Sequence, residues 1–128
     1  MNGALEAALR VARGSFVLDV ALAVPAGRVV ALMGRNGAGK STAVGAISGL
    51  VPLDAGRVVL DGAVLEDVGA GRWIAPEHRA VGVVQQQAAL FPHLDVRDNV
   101  AFGLRTGGLR KRAARERADA LLADAGLG

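Results

Sequence analysis

Residues Val29 to Thr42 read VVALMGRNGAGKST. An unbroken apolar run leads into a glycine-rich turn, and the turn ends on Lys40, Ser41 and Thr42. Gly34, Gly39, Lys40 and Ser41 occupy the fixed places of the pattern G-x-x-x-x-G-K-[ST], which cradles phosphate groups. Each residue type has a task in that pattern. Gly37 and Gly39 permit backbone conformations closed to residues with a side chain, so that successive N–H groups, from Asn36 and Ala38 as well as the glycines, converge on the phosphates. The Lys40 ammonium reaches the terminal oxygens, the Ser41 hydroxyl is a ligand for Mg²⁺, and the Thr42 hydroxyl adds a hydrogen bond. The chain otherwise chooses Arg for thirteen of its fifteen cations. Lys40 thus marks a place where a compact ammonium serves and a planar fork does not.

The context suits such a loop. Val29 to Met33 is apolar without alternation, as expected of a strand covered on both faces. After the loop Val44, Ile47 and Leu50 recur at helical spacing, and Gly49 offers a stop. Upstream, Ser15 to Val24 alternates, with Phe16, Leu18, Val20, Leu22 and Val24 on one side, which predicts a half-buried strand. Downstream, Arg57 to Leu65 predicts a hairpin turning at Asp61-Gly62. Val81 to Val84 predicts another short strand, running into Gln85, Gln86 and Gln87. Asp95 is a cap for a helix over 96–104. Gly107 and Gly108 break that helix, and a last one over 109–125 carries Ala114, Ala118, Leu121, Leu122 and Ala125 as its apolar stripe.

Composition narrows the class. A chain of 128 residues holds one domain's worth of core, and with 52% apolar but only 3% aromatic residues that core is built from small aliphatic side chains. This suits a parallel sheet covered by helices. The absence of cysteine excludes disulfides, thiolate metal sites and cysteine nucleophiles, and leaves no sign of an oxidising compartment. No segment approaches the ~20 apolar residues of a membrane span, and Glu6 and Arg10 interrupt what would have to be a signal peptide's apolar stretch. The chain reads as cytoplasmic, with any membrane association peripheral.

The residues from Pro76 to Leu104, PEHRAVGVVQQQAALFPHLDVRDNVAFGL, decide among phosphate-loop proteins. They resemble the Q-loop region of ABC importer ATPases, where a strand ends in Gln and a Leu-aromatic-Pro-His-Leu run follows. Small-molecule kinases and GTPases have nothing similar there. The resemblance extends over almost the whole chain, and Val64 to Gly82 is similar to the molybdate importer ATPases in spacing and in its Pro-Glu-x-Arg element. It implies an α/β P-loop NTPase with a RecA-like core, an N-terminal antiparallel β part and the start of a helical subdomain, divided at 1–94 and 95–128. It also implies ATP and Mg²⁺ as cofactors, with Lys40 and Gln86 in the catalytic machinery and Ser41 and Gln86 near the metal. The implied partners are transmembrane permease subunits and a second ATP-binding subunit, on the inner face of the cell membrane.

Substrate is chosen by permease and binding protein. Sulfate, iron, sugar and polyamine importers therefore stay beside molybdate. An ABC ATPase of translation or DNA repair, a P-loop kinase and an inactive nucleotide-binding remnant are the readings from other classes. The signature motif of the LSGGQ type, a Walker B strand ending in Asp-Glu and a switch histidine do not occur after Leu109. The expectation is accordingly the N-terminal part of such an ATPase, with its C-terminal part absent, hydrolysis by this chain alone not expected, and an apolar sheet edge left open.

Several features carry blander readings. Phe16 is the one upstream aromatic available to adenine, but as an inward strand position it reads as core. The run Val58 to Asp61 imitates a Walker B strand, yet Asp61-Gly62 between apolar runs is a hairpin turn. Trp73 reads as an aromatic folded onto the domain. His78 and His93 are too isolated to form a metal site. Arg110, Lys111, Arg112, Arg115 and Arg117 have no interleaved aromatics to stack bases, so they read as a solvated helix face, with Glu116 and Asp119 as intrahelical partners, and no nucleic acid is expected.

Overall fold

A computed structural model describes residues 3–87 and 89–128; Ala88, inside the stretch that carries the resemblance, lies outside them. The elements are β1 (Gly3–Arg13), β2 (Phe16–Pro25), α1 (Lys40–Ser48), β3 (Ala55–Leu60), β4 (Ala63–Asp67), β5 (Arg72–Trp73), a 3₁₀ turn (Pro76–His78), α2 (Val96–Thr106) and α3 (Lys111–Asp124). The chain divides into two compact units, Met1–Val83 and Val84–Gly128.

The first unit is a five-stranded sheet of order β2-β1-β3-β4-β5. All of its pairings are antiparallel. Leu5, Ala7, Leu9 and Val11 of β1 and Phe16, Leu18, Val20 and Leu22 of β2 face one side, as the two-residue period requires. Val58 and Leu65 extend that face across the sheet, and Ala43 and Ala46 of α1 close over it. The small side chains on α1 let the helix lie near the strands. The β3–β4 hairpin forms as expected, with Asp61 at φ 48° and Gly62 at φ 80°. Positive φ at both turn residues is the type I′ geometry that matches strand twist. Asp61 is therefore a turn residue, as the hairpin reading required. β1 was not anticipated as an element, although its alternation of apolar and other residues is visible in the sequence.

Two expected strands do not form. Val29 to Met33 has no strand conformation, and Val29 and Met33 are 98% and 88% exposed. Val81 to Val84 is likewise irregular, with Val83 and Val84 exposed. The reading of their composition needs this correction, as does the parallel sheet among the described residues. A strand covered on both faces needs a hydrogen-bonding neighbour at each edge. The sheet ends at β2 and at β5, and neither edge takes up these stretches.

The second unit is an antiparallel helix pair. The Asp95 carboxylate accepts from the Asp98 N–H at 2.7 Å and caps α2. Ala101, Ala114 and Ala118 form its small core. Leu121, expected in the apolar stripe, is exposed. Two of the four cations of α3 are paired among the described residues: Arg112 with Glu116 at 3.1 Å and Arg115 with Asp98 at 2.9 Å. Asp119 pairs with Arg97 of α2 at 2.6 Å instead of within its own helix.

Substituting Leu9, wholly inside the sheet–helix core, by Ala should cost about 2–5 kcal/mol in urea unfolding. Asp95→Ala should cost about 1 kcal/mol and speed exchange of the Asp98 amide. The second Asp95 oxygen lies 3.7 Å from Arg115 Nη2, an exposed pair that adds little, so an Asp95 variant as damaging as the Leu9 variant would contradict the assignment of Asp95 as chiefly a cap.

Candidate phosphate-binding site

The site begins with the backbone. Gly37 stands at φ 83° and Gly39 at φ 100°, both in the left-handed region. At Gly39 space is equally restrictive, since a Cβ there would lie 2.8 Å from Phe16 Cζ and 3.0 Å from Leu18 Cδ1. The inward row of β2 is thus the floor on which the loop rests. Phe16 is half-buried and packed in the core, in keeping with its reading as a core residue.

Hydrogen bonding inside the loop leaves its amides available. The Ala38 N–H is satisfied by Arg35 O at 3.1 Å and the Ala43 N–H by Gly39 O at 2.8 Å. Among the described residues, the N–H groups of Gly37, Gly39, Lys40, Ser41 and Thr42 have no protein acceptor. The last three are first-turn amides of α1, which a helix cannot satisfy internally. The partial positive charge of the helix start adds to their attraction for an anion. Lys40 is half-buried, and its Nζ donates to Gly34 O, folded over the mouth of the loop. Asp19 and Val17 from β2 and Leu32 and Met33 line a cavity of about 300 Å³ beside Gly39 and Lys40.

Ser41 is exposed, and its hydroxyl has no hydrogen-bond partner among the described residues. An exposed oxygen beside a phosphate cradle fits Mg²⁺, which keeps several waters and binds through one or two protein oxygens plus phosphate. Among the described residues no group of three His, Cys, Asp or Glu could hold a metal by itself.

Gly34, Asn36, Gly37, Ala38, Gly39, Lys40, Ser41 and Thr42 all lie in this one loop and helix start. Gln86 belongs to the second unit, exposed in a bend, with Gln85 and Gln87 exposed on either side. After it, the Phe91 ring packs on Phe102 with centroids 4.4 Å apart and edge-on to His93 at 6.0 Å. Asn99 fixes this turn, accepting from the Phe91 N–H at 2.8 Å and donating to Leu94 O and Asp95 O. Trp73 lies exposed on β5, with the Arg79 guanidinium 6.0 Å from its ring.

Sequence reading did not single out Arg79 or Glu66 as a pair. They form a buried ion pair at 3.0 Å, with side chains 0% and 4% exposed. Neither periodicity nor spacing could have joined them.

The model of the family described as ABC transporter matches residues 17–128. Among curated relatives, a molybdenum import ATP-binding protein of Mycobacterium tuberculosis is 51% identical over 106 residues, covering 81% of this chain and 29% of the relative. One of Pseudomonas aeruginosa is 43% identical over 123 residues, 95% of this chain and 34% of its own. One of Rhodobacter capsulatus is 46% identical over 94 residues, 73% and 25%. The chain spans about a quarter to a third of the length of these relatives. Its phosphate loop and the match over residues 17–128 agree, and the chain belongs to the ABC transporter family, with the P-loop NTPase fold class that membership carries.

Proposed function

We propose that this chain is the ATP-binding part of an ABC importer's energy-coupling subunit, and that the imported substrate is molybdate. The observation that carries the nucleotide reading is the set of unpartnered amides of Gly37 and of Gly39 to Thr42, around the Lys40 side chain. On binding, the phosphates take these amides and replace Gly34 O as the partner of the Lys40 ammonium. The Ser41 hydroxyl would hold Mg²⁺, which would supply charge neutralisation to the bound phosphates. The substrate reading rests on relatives named for molybdenum import, since no feature of this chain selects an oxyanion for transport.

Gln86 is proposed as the glutamine that meets Mg²⁺ and the attacking water and reports their state to the permease. The permease and a second ATP-binding subunit are the proposed partners, with the chain on the cytoplasmic face of the membrane. Among the described residues no helix is long and apolar enough to cross a membrane. The division at 94 and 95, with a RecA-like part before it and a helical subdomain after it, belongs to the same proposal.

Lys40→Ala should weaken MgATP binding about 30-fold or more, the loss of at least ~2 kcal/mol expected when one partner of a charged contact is removed. Lys111→Ala, an exposed cation of the second unit, should change it less than about twofold, within the scatter of surface charges. Titration of the 128-residue chain with a fluorescent ATP analogue measures both, and equal affinity in the Lys40 variant would sink the phosphate-site assignment.

A complete importer carrying Gln86→Ala should bind ATP nearly as before, because the phosphates are held by the loop amides. Transport and permease-stimulated hydrolysis should fall together by about 100-fold or more, the range of a lost transition-state donor. Gln85→Ala and Gln87→Ala should do much less. Reconstituted uptake alongside nucleotide binding distinguishes the three, and unchanged uptake in the Gln86 variant would remove that residue's role.

A further inference from the structure

We infer that Arg79 is a positioning residue that ties the carboxyl end of α1 to the β4–β5 edge, so that occupation of the phosphate site at the amino end of α1 is felt at Ile74. The inference rests on the nucleotide reading above and adds a second end to it. All three guanidinium nitrogens are engaged. Nη1 donates to Ala46 O at 3.3 Å and Ile47 O at 3.2 Å, Nε to Ile74 O at 2.6 Å, and Nη2 to Glu66 Oε2 at 3.0 Å. The other Glu66 oxygen accepts the Leu53 N–H at 3.0 Å. One side chain thus joins the last turn of α1, β4 and the chain leaving β5, and Glu66 extends the link to the loop that follows α1. Gly49 makes room for it, since a Cβ there would lie 2.7 Å from Arg79 Nε.

Stability alone does not account for the pair. Replacing a buried ion pair by apolar side chains of similar volume is often neutral or stabilising. What the fork supplies is direction: it fixes the helix end relative to the hairpin. Its charge also meets the negative end of the helix dipole, while the phosphate site meets the positive end. α1 has only nine residues, and an isolated helix of that length is marginal. Order imposed at one end therefore stabilises the whole of it, and binding at the loop and closure of the Arg79 clamp favour each other reciprocally.

Amide exchange of the 128-residue chain, with and without MgATP, tests this. The Ala43 N–H, bonded to Gly39 O, reports the binding end, and the Ile74 N–H, bonded to Leu65 O at 2.8 Å, reports the far end. With MgATP at about 100 times its Kd, exchange at Ala43 should slow by up to about 100-fold, and exchange at Ile74 by about 10-fold. In Arg79→Lys, whose single ammonium cannot span the acceptors, Ala43 should still respond and Ile74 should not. Arg79→Met leaves Glu66 buried alone and is prone to unfold. The double variant Arg79→Met, Glu66→Met removes both charges, keeps the volume and should behave as Arg79→Lys does. An undiminished Ile74 response in the folded double variant, or no Ile74 response in the parent while Ala43 responds, overturns the inference. No response at Ala43 in the parent overturns the nucleotide reading first, and the inference with it.

Discussion

Position 39 admits no side chain. Its φ of 100° lies where L residues are strained, and a Cβ would meet Phe16 and Leu18 within 3.0 Å. Both constraints come from opposite sides, the first from the turn that starts α1 and the second from the inward face of β2. The sheet thereby sets the height of the loop, and the loop sets where the first-turn amides point. Pairing of β1 with β2 from Leu5 to Arg13 fixes which residues of β2 face inward. The phosphate cradle is in this sense a product of strand register.

A core of Ala, Val and Leu gives few large interlocking shapes, so close approach does the work that bulk does elsewhere. Ala43 and Ala46 bring α1 down on Leu9, Val11 and Val58. A polar fork then fastens the same helix from the side. Packing density limits how far any of these can shift without forcing its neighbours. The helix carries the anion-binding amides at one end and a guanidinium at the other, and neither end is free to reorient alone.

What the sequence disclosed followed from how local each signal was. The loop, α1, the β3–β4 turn and the Asp95 cap are decided by residues within a few positions of one another, and they were legible. So were the alternation of β2 and the use of Asp61 in a turn. Val29 to Met33 and Val81 to Val84 misled because an apolar run records suitability for a buried strand, whereas a strand exists only where another segment pairs with it. Arg79 and Glu66 lie thirteen residues apart and meet by sheet geometry alone. The choice of Gln86 among three adjacent exposed glutamines rests on the family resemblance alone, because bare residue chemistry leaves the three equal.

The β3–β4 register holds a further consequence. Val58 pairs with Glu66 but Val59 pairs with Val64, so Leu65 is an extra residue on β4. This bulge is why Leu65 and Glu66, adjacent in a strand that would otherwise send them to opposite faces, are both buried. The hairpin is therefore tolerant of changes in residue type at its exposed turn but intolerant of changes in length. Deleting or inserting one residue between Asp61 and Leu65 would move either an apolar residue or a carboxylate to the wrong face, and a frame of single-residue precision is imposed on a segment whose composition looks ordinary.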